Sequence, residues 1–119
     1  MKPYQSKVDA IKRRHPQAMV VAINEAGVYE YVSDQSRNVL GYAPEEMVGR
    51  NALDFAAPQD ASHAGLALQD AMLTGESVVI NIRARAKSGV LVPVRGSVAR
   101  FEDPITEEVF MVGWVIKTG

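Results

Sequence analysis

The last apolar segment, "VFMVGWVIK" from Val109 to Lys117, constrains the fold more than any other part of the chain. Read with the two-residue period of a β-strand, Val109, Met111 and Val115 face one way and Phe110, Val112, Trp114 and Ile116 the other. Both faces are apolar, so this strand needs cover on both sides and belongs in the middle of its sheet. One cover would be the body of the domain. The other would be the N-terminal helix or a partner molecule.

Four further strands are expected. "AMVVAIN" and "VYEYVS" are short β-rich runs flanking Asn24 to Gly27, and Gly27 supplies the backbone freedom that a hairpin loop requires. From Val78, the residues Val78, Ile80, Ile82 and Ala84 alternate with Asn81, Arg83 and Arg85, which gives one buried and one wetter face. "AKSG" forms the next turn, and a long strand follows from Leu91 to Phe101. Pro93 has no amide donor, so that strand is expected to lie at an edge or to be locally irregular there.

Between the two groups of strands lie about forty residues of helical chemistry, too many for a structureless loop. Ser33 or Asp34 can cap a first turn that Gly41 ends. Pro44, followed by Glu45 and Glu46, opens a second turn closed by Gly49, and a third spans Asn51 to Phe55. The longest helix is expected from Pro58 to Leu73, with Gly75 beyond its end. At the start of the chain, Tyr4, Val8 and Ile11 form one apolar stripe on a short helix that stops before Pro16. Residues 1–15 therefore read as an amphipathic dimer-forming or sheet-capping helix, and 16–119 as one α+β domain.

Composition removes several function classes. The chain has no cysteine, which excludes disulfides and thiolate metal sites, and no stretch of membrane-spanning length or signal-peptide pattern is visible. A cytoplasmic location without a membrane segment is the expectation. Net charge is −1, with Lys2, Lys7, Lys12, Arg13 and Arg14 at one end and Glu102, Asp103, Glu107 and Glu108 near the other. That balance does not build the basic surface needed for direct nucleic-acid binding.

The motif "YVSDQSRNVLGYAPEEMVGRNALDFAAPQD", followed by "RARAKSGVLVPV", resembles the PAS (Per-Arnt-Sim) sensor-domain family over nearly the whole chain. The resemblance implies a five-stranded antiparallel sheet of order 2-1-5-4-3, with short helices and one longer helix on one face enclosing a small pocket. It also implies a sensory or regulatory module of a larger signalling protein, such as a bacterial-type histidine kinase of a two-component system, a cyclase or a transcription regulator. Small-molecule sensing and/or homodimerisation through the N-terminal helix and sheet face, with coupling to a downstream output domain or partner protein, is the expected mode of action, and a tightly packed dimerisation module without a ligand is an equal alternative to a ligand binder. The chain departs from the family where His often precedes Pro-x-Asp, which is Ala57 here, and where Lys117, Thr118 and Gly119 replace the usual Asp-Ile-Thr. "GRNALDF" resembles the flavin-binding light-sensing branch, yet Ala52 stands where that branch has its reactive Cys. A cysteinyl-flavin photocycle is thus ruled out, whereas noncovalent flavin, haem or a small apolar ligand stays compatible, and no cofactor at all is the leading expectation.

The expected pocket walls are Leu40, Tyr42, Met47, Asn51, Leu53, Phe55, Leu68, Met72, Ile80, Ile82, Val94 and Val98, with little bulk from Ala64, Ala67 and Ala71. Asn51, Asn81 and Arg83 are the polar groups placed to orient a ligand. Tyr4, Val8, Ile11 and Trp114 mark the dimer or helix-docking surface. Haem-binding members of the family ligate iron through a His on the long helix, which makes His63 an alternative gas- or redox-sensing residue. Helical geometry, however, turns His63 about 90° from the Ala64, Ala67, Leu68 and Ala71 stripe. His15 has no partner at motif spacing and reads as a linker residue. Asp60 with His63, and Arg83 with Arg85, are the only hints of a small stand-alone enzyme; no nucleophile, carboxylate pair or metal-ligand set is defined, so a non-catalytic domain is expected.

Overall fold

The computed structural model describes residues 2–119. Helix α1 (Gln5–Arg14) precedes a hairpin of β1 (Met19–Asn24) and β2 (Tyr29–Val32). The helical run contains α2 (Ser36–Val39), α3 (Pro44–Met47), 3₁₀ turns at Ala52–Phe55 and Pro58–Asp60, and α4 (Ala61–Thr74). Strands β3 (Val78–Arg85), β4 (Leu91–Glu102) and β5 (Val109–Lys117) complete one antiparallel sheet of order 2-1-5-4-3.

β5 is the middle strand, paired with β1 on one side and β4 on the other. Its two apolar faces are both used. Met111 joins the larger core beneath the helical run, while Phe110 and Val112 join a second cluster on the outer face. That outer cluster is closed by α1, whose Val8 is fully buried against Val20, Ala22 and Val112. Tyr4 sets its ring edge-on to Phe110 at a centroid distance of 5.0 Å. The second cover of β5 is therefore this chain's own helix. Lys12, Arg13 and Arg14 fill the last turn of α1, where positive charge meets the negative end of the helix dipole.

Gly113 allows β4 and β5 to approach closely. A Cβ there would collide with the Ser97 carbonyl oxygen and come within 2.7 Å of the Val98 Cα. No side chain fits between these backbones.

The broken helical run straps both edges of the sheet. On the β2 side, Tyr29 N–H donates to the Arg50 carbonyl at 3.0 Å and Gly49 N–H to the Tyr29 carbonyl at 2.9 Å. On the β3 side, Ala57 N–H donates to the Arg83 carbonyl at 2.8 Å, and Ala56 bridges Ala84. A flat five-stranded sheet would separate its outer strands by about 19 Å, and the two straps lie further out still. From Asn51 to Ala56 the chain can reach at most about 18 Å even if fully extended, and most of it is a 3₁₀ turn. The sheet must curl, and the run spans its concave face. One straight helix would satisfy neither edge.

Several expectations are corrected in detail. Ser33 caps no helix with its side chain; its Oγ accepts the Val20 N–H at 2.8 Å and holds the end of the hairpin. The long helix begins at Ala61, after a separate 3₁₀ turn at Pro58–Asp60, and ends at Gly75 with φ 76°. β4 is an interior strand rather than an edge. Pro93 is tolerated because β5 pairs only as far as Val94, leaving the missing amide without a ladder partner to lose, while the Pro93 carbonyl accepts from Thr118. His15 stacks on Trp114 at 4.6 Å, so it packs as well as links.

Candidate functional site

The concave face and the strapping run enclose a cavity of about 80 Å³. Small residues create it: Ala52 and Ala56 from the run, Ala64 from α4, Ala84 from β3 and Gly96 from β4 converge where larger side chains would fill the space. Of the expected walls, Leu40, Leu53, Phe55, Leu68, Ile80, Ile82, Val94 and Val98 line it. Met19, Val21, Ile23, Tyr29 and Val115 complete the wall without having been singled out in sequence. For all of these but Tyr29, which lies on β2, the signal is the inward phase of β1 and β5, which reads only as ordinary core.

Four expected wall residues stand elsewhere. Tyr42 packs edge-on to Phe55 at 5.0 Å and its hydroxyl donates to the Arg85 carbonyl at 3.0 Å. Met47 is completely buried in the core under α3, and Met72 packs against that core from its margin. Asn51 caps the 3₁₀ turn by accepting the Leu53 N–H at 2.9 Å.

None of the three polar groups expected to orient a ligand reaches the cavity. Asn51 is used as the cap, and Asn81 accepts from Arg95 Nε at 3.1 Å on the exposed face. Arg83 grips Asp60 with Nε and a terminal nitrogen, each at 3.1 Å, while its backbone N–H donates to the same carboxylate at 2.8 Å. This clasp fastens the start of α4 to the edge of β3. The Arg83 hydrogen bonds hold the Asp60 carboxyl below its usual range, the side-chain bond first and the backbone bond second.

The one side-chain oxygen in the lining belongs to Tyr29. Tyr29 is 7% exposed, and burial alone pushes its pKa up to about 12, with no hydrogen bond contributing. Among the described residues no fully sealed side-chain nitrogen or oxygen lacks a partner. The Tyr29 hydroxyl is thus unpartnered among the described residues without being fully sealed, on a residue that lines the cavity.

Haem and flavin do not fit this site. Pockets for cofactors and drug-sized ligands run to about 300–1,000 Å³, several times the space present. His63 is exposed on α4 and does not line the cavity, so it does not present a ligand to an iron inside. Among the described residues no group of three or more His, Asp or Glu side chains is placed to hold a metal, and no helix is long and apolar enough to cross a membrane.

Residues 29–115 match the family model PAS_3, described as PAS fold. The chain belongs to the PAS family. Among curated proteins it is 33% identical over 84 residues to the aryl hydrocarbon receptor nuclear translocator homolog of Drosophila melanogaster, covering 70% of this chain and 13% of that protein. The PAS domain of a Colwellia psychrerythraea protein superposes with a TM-score of 0.80 at 15% identity, covering 98% of each chain. A PAS domain from a two-component sensor histidine kinase gives 0.70 at 20% identity, covering 96% of this chain and all of that one. At such identities the structural matches establish the fold alone. As a PAS domain, the chain is a sensory module of signal transduction, a class that is generally non-catalytic and that commonly dimerises or pairs with output domains.

Proposed function

We propose that occupancy of the cavity is the signal this domain senses and that α1, on the opposite face of the sheet, is the element that reports it. The observation carrying this reading is that β1 and β5 present consecutive residues to the two sites. Val21 and Ile23 line the cavity while Val20 and Ala22 hold α1, and Val115 lines it while Trp114 packs against the cluster that holds α1. A close-packed sheet moved from one face must shift on the other. In this reading residues 1–15 form a separable cap on a PAS domain of residues 16–119, within a larger cytoplasmic protein whose output is a histidine kinase, a cyclase or a transcription regulator.

Homodimerisation through α1 and this sheet face takes a specific form. Tyr4 and Val8 are already buried on their own sheet, and Ile11 and Trp114 pack at the edge of the same cluster. We place release of α1 before pairing, so that the uncovered outer face becomes the dimer surface. Substituting Ala64→Val, which adds bulk inside the cavity, tests the coupling. It should alter hydrogen-exchange protection of the α1 amides while the sheet stays folded; unaltered protection in α1 would count against the reading.

A further inference from the structure

The cavity lining is apolar except at one point. Its side chains are aliphatic or aromatic hydrocarbon, with the Met19 thioether, and the Tyr29 hydroxyl is the single oxygen among them. Tyr4, Tyr31 and Tyr42 each have a hydrogen-bond partner for their hydroxyl, whereas the Tyr29 hydroxyl has none among the described residues. A hydroxyl largely withdrawn from water without a partner is destabilising, so an unpartnered hydroxyl on a cavity-lining residue favours an occupant that supplies the missing bond.

We propose that the cavity binds a small neutral molecule, largely hydrocarbon, whose one polar atom hydrogen-bonds the Tyr29 hydroxyl. This deepens the cavity-sensing reading and rests on it. Size sets the class: an apolar cavity of about 150 Å³ accepts benzene, so about 80 Å³ accepts about three or four heavy atoms. Charge is excluded because no side chain in the lining carries a counter-charge. A polyol would leave its further hydroxyls unpaired against Ile80, Val94 and Val98. Short-chain alcohols and ketones match both the volume and the single polar contact. Molecules this small bind no tighter than tens of micromolar, roughly, so millimolar titrations are the relevant range.

The test uses the full chain, isotope-labelled at its methyl groups and at tyrosine Cζ, with 1-propanol as the polar probe and xenon as the apolar one. Both probes should shift the Ile80, Val94 and Val98 methyls. 1-Propanol alone should shift the Tyr29 Cζ resonance, and Tyr29→Phe should weaken 1-propanol about three- to tenfold while leaving xenon within about twofold. Propanol affinity unchanged in Tyr29→Phe, or xenon binding without propanol, would overturn the Tyr29 anchor and leave cavity sensing standing. Failure of both probes to move the cavity methyls would overturn the anchor and the cavity reading together. Should Tyr29→Phe not fold, the wild-type Cζ response decides: a shift with propanol and none with xenon supports the anchor, and any other pattern overturns it.

Discussion

Tyr29 and Tyr31, two positions apart on β2, lie on opposite faces of the sheet, Tyr29 in the main core and Tyr31 beside α1. A regular strand would place both on one face. Between the pairs Ala22 with Tyr31 and Ile23 with Tyr29, β1 advances one residue while β2 advances two. Glu30 is the extra residue of a β-bulge, and the bulge turns Tyr29 into the domain.

The hydroxyls of Tyr29 and Tyr42 should respond differently to removal. Tyr29→Phe deletes a hydroxyl without a partner, so urea denaturation at neutral pH should show a stability equal to wild type or higher by up to about 1 kcal/mol. Tyr42→Phe deletes the bond to the Arg85 carbonyl and should cost about 1 kcal/mol. Equal losses in both would mean that the Tyr29 hydroxyl is satisfied within the chain.

Alkaline titration isolates Tyr29 further. Burial raises its folded pKa to about 12 from an ordinary value of 10.0. The folded state therefore keeps a proton that the unfolded state releases. The associated stability is intact below pH 10 and is lost between pH 10 and 12, on the order of 2–3 kcal/mol. Stability measured against pH should fall less steeply across that window in Tyr29→Phe than in wild type; parallel curves would contradict the assignment.

Gly113→Ala should be among the most damaging single-methyl additions. The new Cβ meets the Ser97 carbonyl and the Val98 Cα, both backbone, so no side chain can yield. A loss of about 3 kcal/mol or outright failure to fold is expected in denaturant titration. A neutral result would show that β4 and β5 can part without penalty.

The Asp60–Arg83 clasp should be visible at acidic pH. Its carboxyl titrates below the usual range, so the clasp's contribution is present above the ordinary carboxylate pKa and disappears as pH falls through the depressed folded value. Asp60→Asn should remove that acid dependence and speed exchange of the Ala57 amide, which donates to the Arg83 carbonyl. Unchanged Ala57 exchange would show that the strap holds without the clasp.

How much of this was legible in sequence differs by element. The two-sided apolarity of Val109–Lys117 already required a central strand, and the Tyr4, Val8 and Ile11 stripe already required a surface to cover; the fold joins the two. The breaks at Gly41, Pro44 and Gly49 were equally clear, although only the strand order explains them as straps across a curled sheet. Cavity residues were half legible, since the small residues that leave space are dispersed over four elements and register alone brings them together. Tyr29 was hidden because periodicity assumes an unbroken pleat, and one bulged residue reverses the face of everything before it. Arg83 misled for a related reason: it alternates correctly as an outward residue, but its partner Asp60 comes from the far end of the helical run.

The docking of α1 has its own consequence. Val8→Asp would place a charge against Val20, Ala22 and Val112, a site without a balancing cation in its cluster. It should release α1, with fast exchange of its amides and retained protection in β5, and sedimentation should show a concentration-dependent dimer through the uncovered face. A monomer at all concentrations would argue against that face as the pairing surface.

Xenon pressure followed by methyl and amide NMR of the wild-type chain tests the central claim most directly, because xenon is apolar and needs no polar partner to enter an apolar cavity. The Ile80 and Val98 methyls and the Val8 and Ile11 amides, on opposite faces of the sheet, should shift along one saturation curve. Cavity methyls that saturate while the α1 amides stay fixed would contradict the account.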